Sequence, residues 1–271
     1  MTYRCLRAPS EPPLDGSLGG PVWRSAERSP RFGDMVTGAP GLYDTRAALL
    51  WDDDALYVAF WIEEPFVRSE ATVRDDLVFL ENDIEVLIDG GDCYYEFELN
   101  AAGVIYEVFF IWQDAYRRSG RFDLPEFDLV EQRALSFAGD HDRSGGTFWK
   151  GTHPRGARWA FREWDFPGLR TAVDVQGTLN DDSDVDRGWR VEIAFPWQGF
   201  GVLAGDRSVP PREGDVWRIF LGRFQKLVLS GVEVQPHPAW TWTPHGTYDT
   251  HLPERWLEVS FSDAEVEIAP S

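Results

Sequence analysis

Glutamate side chains at alternate positions of one segment are the residues best spaced for chemistry. In residues 95–100 apolar and polar side chains alternate, so Glu96 and Glu98 point to the same face of a predicted strand, about 6.6 Å apart. Two carboxylates at about this separation act as acid and base in inverting glycosidases. Alternating glutamates are also common on exposed strand faces of acidic proteins, and a solvated strand face is the favoured interpretation.

Three aspartates at every second position, Asp182, Asp184 and Asp186, are residues that could supply oxygen ligands to a calcium ion. Their spacing does not fit an EF-hand, because the twelfth loop position would fall on Ile193 and no helical pattern flanks the segment. A solvated acidic turn is favoured, and a structural calcium ion stays open as the alternative. The five histidines lack the paired spacing of a zinc site, so no other cofactor is predicted.

The charge of the chain narrows the class of partner. With 46 acidic against 26 basic residues the formal net charge is −20, which repels phosphate backbones and anionic lipid headgroups. We therefore expect neither a nucleic-acid partner nor a membrane partner.

No apolar run in the sequence reaches the length of about 20 residues that a membrane-spanning helix needs, and the N-terminal residues lack the apolar core of a secretory signal. The sequence as it stands predicts a cytoplasmic protein, or a secreted one if a leader has been removed.

The elements that position these side chains are predicted to be strands. Apolar or alternating runs are separated by turns rich in glycine, proline and aspartate, and the many aromatic residues favour strands over helices. Strands are predicted at residues 56–62, 83–89, 95–100, 104–112, 171–177, 189–195, 217–224 and 256–261. No helical pattern alternates with them. This order predicts an all-β fold, a sandwich or a barrel, and argues against βαβ units.

Several short motifs occur in an order typical of one known family. Residues 14–16 (Leu-Asp-Gly) precede Trp23, residues 50–53 (Leu-Trp-Asp-Asp) precede a predicted strand, and residues 81–89 (Glu-Asn-Asp-Ile-Glu-Val-Leu-Ile-Asp) precede the hairpin at 94–112. Further matching segments lie at residues 164–169, 177–181, 188–197, 210–218, 242–244 and 251–256. Together they resemble the carbohydrate-binding module family 9-like domains, which share the DOMON-like β-sandwich. The resemblance implies an antiparallel β-sandwich that binds a saccharide.

The resemblance also implies where the saccharide binds. Members that bind sugar hold it between two tryptophans, beside a carboxylate and an amide. Trp242 matches the later tryptophan, Glu85 the carboxylate and Asn100 the amide. In the strand pattern Glu85 and Asn100 point away from their apolar neighbours, toward a ligand-facing surface. The alternative is that Glu85 is a solvated strand residue and that Trp242 belongs to the core.

Two positions depart from the family pattern. The first tryptophan is expected just before the Glu-Asn-Asp turn, where this chain has Phe79 and Leu80; phenylalanine can stack on a sugar, whereas leucine cannot. Glu98 stands where sugar-binding members carry a basic residue, and it remains a ligand candidate.

Arg218 and Arg223 are predicted on opposite faces of one strand, and we take Arg223 as the arginine that reaches the ligand. An arginine paired with acids at the sheet surface is the favoured alternative.

The stretch 113–170 interrupts the strand pattern of a predicted single domain, 1–271. It contains Trp149, Trp159 and Trp164, whose apolar area would be exposed in a solvated loop. We therefore predict an ordered insertion that shapes one rim of the site. One of the three rings could lie over the ligand-facing surface and replace the missing stacking residue. Packing of all three against the sandwich is the favoured alternative, because buried tryptophan is more often structural.

The sequence therefore predicts a non-catalytic protein that recognises a saccharide by aromatic stacking and by carboxylate and amide hydrogen bonds. The predicted ligand residues are Phe79, Glu85, Glu98, Asn100, Arg223 and Trp242. The main alternative is the same fold without sugar binding, acting as a protein-interaction domain, because Leu80 replaces an expected stacking surface. A glycoside hydrolase that uses Glu96 and Glu98 ranks last.

Overall fold

The computed structural model of the protein describes residues 2–138 and 153–268. In these ranges the strands are β1 (Thr2–Arg7), β2 (Gly33–Asp34), β3 (Thr45–Trp51), β4 (Ala55–Glu63), β5 (Asp83–Asp89), β6 (Cys93–Asn100), β7 (Ile105–Trp112), β8 (Leu135–Phe137), β9 (Arg158–Phe161), β10 (Arg170–Gln176), β11 (Gly188–Pro196), β12 (Val216–Phe224), β13 (Val228–Leu229), β14 (Val232–Glu233), β15 (Ala239–Thr241) and β16 (Leu257–Glu265). The helices are α1 (Pro21–Ser25) and α2 (Gly201–Ala204), and 3-10 turns lie at Val78–Leu80, Pro125–Phe127, Trp197–Phe200 and Pro253–Arg255. None of the helices described is long and apolar enough to cross a membrane.

Fourteen strands form one continuous sheet whose two halves face each other across the core. One half runs β10-β11-β4-β3-β1, and the other runs β16-β12-β5-β6-β7-β9-β8, with β15 beside β12 and β2 beside β15. Strand β1 joins the halves and is parallel to both of its neighbours, β16 and β3. The other strand pairs are antiparallel. The architecture is thus an all-β sandwich, as predicted, and the parallel pairings of β1 are the exception to its antiparallel order.

Alternation of strand side chains produces the core between the two halves. In β5 the side chains of Ile84, Val86 and Ile88 are fully buried in this core. Phe97 of β6 meets Phe195 of β11 from the opposite half, with ring centroids 5.7 Å apart. Each such side chain contributes about 1.5–3 kcal/mol by its burial. A slip of one residue would turn this apolar set outward, so burial also fixes the strand register.

The outer face of the β3–β4–β11 half is covered by the N-terminal segment and α1. Trp23 of α1 is fully buried there, and its Nε1 donates a 2.6 Å hydrogen bond to Glu192 of β11. The other carboxylate oxygen of Glu192 accepts hydrogen bonds from the backbone nitrogens of Asp15 and Gly16. Gly16 has φ 73°, and a Cβ at this position would lie 2.9 Å from the backbone of Val173. The first motif of the family pattern therefore closes this face of the sandwich.

The outer face of the other half carries a separate aromatic layer. Tyr94 of β6 stacks on Phe110 of β7 with 4.6 Å between the ring centroids. Leu87 of β5 and Phe220 of β12 are buried in the same layer, and Trp256, after β15, covers one side of it. The segment between β15 and β16 covers only part of this face, and the candidate site lies in the part that stays open.

The described part of the stretch 113–170, which the sequence predicts as an insertion in the strand pattern, contains two short strands. It contributes β8 and β9, which pair with each other, and β9 also pairs with β7. The sheet therefore continues into this stretch. Its local sequence shows no strand pattern because β8 and β9 are only three and four residues long, and the regular structure comes from pairing with β7.

Candidate ligand-binding site

A cavity of about 410 Å³ opens on the outer face of β5, β6 and β7. Carboxylates and aromatic rings supply about half of its lining residues. Its ionisable lining residues are Glu85, Glu96, Glu98, Tyr106, Arg162 and His251. The remaining aromatic lining comes from Phe79, Phe110 and Phe137. Of the predicted ligand residues, the structure brings Phe79, Glu85 and Glu98 together in this cavity.

The hairpin of β6 and β7 builds the floor of the cavity. Its register places Glu98 opposite Tyr106 and Glu96 opposite Val108, and the register of β5 places Glu85 opposite Glu98. These side chains occupy alternate positions of their strands, so they share the outer face while the residues between them point into the core. Strand alternation and register together are sufficient to assemble this part of the site.

Three buried carboxylates cluster where β5 and β6 pair. Asp83, Glu85 and Glu98 each offer an oxygen within 4.8 Å of the others, and their exposed fractions are 0, 4 and 2%. Carboxylate oxygens accept hydrogen bonds from hydroxyl or ammonium groups, and they are also suitable ligands for a hard cation such as calcium. Glu85 and Glu98 of this cluster line the cavity.

His251 reaches the cavity from the segment that follows β15. The Tyr94 hydroxyl and Nδ1 of His251 share a 3.1 Å hydrogen bond, and Nε2 of the same ring lies 3.6 Å from a carboxylate oxygen of Glu96. Buried Arg158 of β9 donates through Nη2 to the His251 carbonyl oxygen. The same guanidinium lies over the ring of Trp112, 4.2 Å from its centre. These contacts fix the imidazole with Nε2 directed toward the acidic floor.

Aromatic rings from different segments form the apolar walls. Phe79, in a 3-10 turn before β5, meets Tyr106 edge to face with 5.5 Å between centroids. On another side, Phe137 of β8 lies 5.1 Å from Phe110 of β7. Burial, and then the charges of the two β6 glutamates, raise the pKa of Tyr106. Its hydroxyl group therefore stays protonated and can donate a hydrogen bond to a ligand.

The wall that carries Phe79 is held by buried hydrogen bonds in which Asn100 takes part. Glu81, 6% exposed, accepts hydrogen bonds from the backbone nitrogen of Ala71 and, over 2.6 Å, from Nδ2 of Asn100. The side-chain oxygen of Asn100 accepts two backbone hydrogen bonds in the β6–β7 turn. Asn100 is thus engaged in supporting the wall and the turn outside the cavity lining. Its placement corrects the prediction that its amide faces the ligand.

Trp242 and Arg223 lie between the two halves of the sandwich. Trp242 is 7% exposed and packs on Tyr3, with 4.9 Å between ring centroids, and near Phe32 at 6.4 Å. Arg223 is fully buried and forms a 3.1 Å ion pair with Glu64. Burial lowers the pKa of Arg223, against the opposing effect of that carboxylate. Both residues lie on the core-facing side of their strands, away from the cavity, which corrects their assignment as ligand residues.

Trp159 and Trp164 of the mid-chain stretch pack against the core and are not part of the cavity lining. Trp164 packs on two aromatic rings of the core, and Trp159 packs against the same core. Trp149 lies outside the described residues. The stretch supplies Phe137 and Arg162 to the cavity lining, so it borders the cavity through side chains other than Trp159 and Trp164.

The acidic turn at residues 182–186, for which a structural calcium ion is the alternative prediction, uses carboxylates in contacts within the protein. Both carboxylate oxygens of Asp186 accept backbone hydrogen bonds, from Val67 over 2.8 Å and from Thr178 over 2.7 Å. Asp182 forms an ion pair with Arg68. These side chains connect two loops of the sandwich and are not directed at a common point. Among the described residues, the acidic group close enough to share one ion is the β5–β6 carboxylate cluster.

Sequence reasoning did not single out Tyr106, Phe110 or His251 as ligand residues. The first two follow from the predicted hairpin, because a turn at 101–103 places Tyr106 beside Glu98 on one face. His251 has no such local signal, since it bonds to a residue 157 positions earlier in the chain. Only the tertiary structure brings it to the cavity.

The sheet order defines a β-sandwich, and its fold is similar to those of a carbohydrate-binding module and a related protein. The structure is similar to a protein from Bacteroides uniformis ATCC 8492, provisionally assigned as carbohydrate-binding, over 96% of this chain and 97% of that chain, with TM-score 0.56 and 15% identity. It is also similar to a family 9 module from Caldicellulosiruptor kristjanssonii, in complexes with cellotriose and with glucose, over 99% of this chain and 100% of that chain, with TM-scores of 0.50 and 0.51 and 14% identity. The sequence matches no protein-family model and no curated protein. The comparisons confirm the predicted fold class.

Proposed function

We propose that the cavity binds a saccharide and releases it unchanged. The observation that carries this proposal is the meeting of aromatic rings and carboxylates in one cavity of about 410 Å³. The apolar C–H face of a sugar ring packs on aromatic rings, and its hydroxyl groups donate hydrogen bonds to carboxylate oxygens. Small-molecule sites commonly combine such a lining with volumes of roughly 300–1,000 Å³.

Each part of the cavity lining has a role in this proposal. Phe79 and Tyr106 supply apolar surfaces, and Glu85 and Glu98 accept hydrogen bonds from sugar hydroxyls. The segment before Phe79 is already anchored by Glu81, so its ring is positioned before a ligand arrives. A preformed wall lowers the entropy that binding would otherwise cost.

The structural neighbours support a saccharide as the class of ligand. The module from Caldicellulosiruptor kristjanssonii was solved with cellotriose and with glucose. At 14% identity the similarity shows a common fold and does not by itself show a common ligand. The proposed saccharide therefore depends on the chemistry of this chain's own cavity residues.

Isothermal titration against a panel of mono- and oligosaccharides tests the proposal. Glu85→Gln keeps the side-chain shape and removes its charge, and we expect binding weaker by about 1–2 kcal/mol, roughly 5–30-fold in Kd. Phe79→Ala removes a stacking face and is expected to weaken binding by about 0.5–1.5 kcal/mol beyond the lost contact area. Glu258→Gln, partly exposed on β16, is the matched control and should bind as the wild type.

The outcomes of the titration separate the candidate functions. Heat of binding, with the sugar recovered unchanged by chromatography, supports the proposal. Hydrolysed sugar would contradict release of an unchanged ligand and would indicate a glycoside hydrolase. Absence of heat with every saccharide would overturn the proposal in favour of a protein-interaction domain of the same fold.

A further inference from the structure

We propose that a second cavity, at one end of the sandwich, binds an extended peptide segment of a partner protein. This inference goes beyond saccharide binding, because it concerns a different cavity. The second cavity has a volume of about 730 Å³ and lies where β4 ends, β5 begins and β12 ends. In the described structure its lining shares no residue with that of the saccharide cavity.

Buried polar side chains form the floor of the second cavity. Glu64, Asn82 and Gln225 line it and are 1, 4 and 4% exposed. Glu64 accepts hydrogen bonds from Asn82 and from Arg223, and the same guanidinium donates to Oε1 of Gln225. Because a guanidinium only donates, this contact fixes the amide oxygen of Gln225 on Arg223. Nε2 of Gln225 forms no hydrogen bond with the described residues and is left as a donor for a carbonyl oxygen of a ligand.

A strand with an unpaired edge forms one wall of the second cavity. Leu227, Val228 and Leu229 line it, and within the described ranges β13 pairs with β14 alone. The lining includes no residue of β14, so the cavity lies on the side of β13 that β14 does not occupy. An unpaired edge offers backbone N–H and C=O groups to an added strand. Peptides that bind in this way obtain affinity from main-chain hydrogen bonds.

The exposed side chains of this wall favour a peptide over a second saccharide. Phe66, Val228 and Leu229 are 45, 54 and 57% exposed. Aliphatic side chains of a peptide would cover them and remove apolar area from water. Valine and leucine offer no aromatic face on which a sugar ring could stack.

The charges around the second cavity are paired, which favours a neutral segment. Asp182 forms an ion pair with Arg68, and Glu70 lies 3.5 Å from the ammonium group of Lys226. Glu81 accepts hydrogen bonds from the backbone nitrogen of Ala71. The net charge of −20 opposes the approach of a second copy of the chain. The occupant is therefore a segment of another protein.

Fluorescence anisotropy of a labelled pentapeptide, Val-Thr-Val-Thr-Val with an amidated C-terminus, tests the inference on the full chain. We expect saturable binding. Gln225→Glu keeps the oxygen that accepts from Arg223 and removes the Nε2 donor, so it should weaken binding about tenfold, the effect of one hydrogen bond. Val228→Asp places a charge on the apolar wall and should weaken binding at least as much. Val216→Asp is the matched control, because Val216 is 50% exposed and lies outside both cavities; it should bind the peptide as the wild type does.

Different outcomes test this inference and the proposed function separately. Absence of saturable peptide binding, or equal binding by all these variants, would overturn the peptide inference and leave saccharide binding intact. A saccharide that displaces the peptide would assign the second cavity to a sugar and overturn the inference. Dimerisation in analytical ultracentrifugation that Val228→Asp abolishes would assign the edge of β13 to a second copy and also overturn it. Phe79→Ala should weaken saccharide binding and leave peptide binding unchanged.

Discussion

Replacement of Trp242 by alanine distinguishes a core residue from a ligand platform. The indole lies between the two halves of the sandwich, in contact with Tyr3 and near Phe32. Truncation of a buried tryptophan costs about 3–5 kcal/mol, through lost burial and the cavity left behind. We therefore expect Trp242→Ala to lower folding stability while the folded fraction binds saccharide as the wild type does.

The buried indole nitrogen adjusts the expected magnitude. Nε1 of Trp242 has no hydrogen-bond partner within the described structure, and a buried unsatisfied donor costs about 1–3 kcal/mol. Its removal offsets part of the loss, so the net cost is expected near the lower limit, about 3 kcal/mol. Each kcal/mol lowers Tm by roughly 2–4 °C in a chain of this size, and the expected decrease is about 6–12 °C.

Thermal and urea unfolding of two variants at this position measure the effect. Trp242→Phe keeps an aromatic ring and removes the unsatisfied N–H, so it is expected to stay closer to wild-type stability than Trp242→Ala. Phe79→Ala is the opposite control, because its ring borders the cavity and its loss should weaken binding with a smaller change in Tm. A Trp242→Ala protein with wild-type Tm and no saccharide binding would refute the core placement.

Two further predictions concern buried charges. Arg223→Met leaves the Glu64 carboxylate buried without its cation, and we expect it to lower the free energy of unfolding in urea by about 3–5 kcal/mol. The double variant that also carries Glu64→Gln should recover part of this loss of stability. An equal loss in the single and double variants would contradict the ion-pair explanation. Glu107 of β7 is fully buried beside Arg74, and burial raises its pKa above the ordinary 4.5. The folded state therefore holds this proton more tightly than the unfolded state, and the free energy of unfolding falls as pH rises from about 4.5 through the raised pKa. Glu107→Gln cannot ionise and should flatten that fall in urea unfolding across this pH range; an unchanged slope would count against Glu107 as its cause.

Strand periodicity alone predicts much of the sandwich and part of the cavity. The limits of the strand predicted at 83–89 agree with β5, and alternation in this strand and the next places Glu85 and Glu98 on the face opposite the apolar core. Phe79 was proposed from the resemblance and lies in the same cavity. The placement of Glu85 and Glu98 on one face was predictable because it depends on positions within one strand or its immediate neighbour, and the role of these residues in ligand binding stays a prediction.

Arg223 illustrates where local patterns fail. Residues 219–224 of β12 are buried on both faces, so polarity along the strand does not show which side is the core. A charged side chain is expected at a surface, but Glu64, 159 positions earlier, meets this arginine inside the sandwich. The partner that makes its burial tolerable is distant in sequence, and the sequence pattern therefore gives no indication of it.

Several residues in the motifs that carry the family resemblance maintain the fold. Trp23 is tied to Glu192 on one outer face, and Asn82 donates to the buried Glu64. Such contacts can persist while the ligand changes, because Glu98 points to the cavity and not to any of these pairs. The identity of the side chain at position 98 can therefore change the cavity lining without disturbing these contacts. The motifs therefore account for parts of the fold, whereas the proposed ligand is argued from the cavity lining.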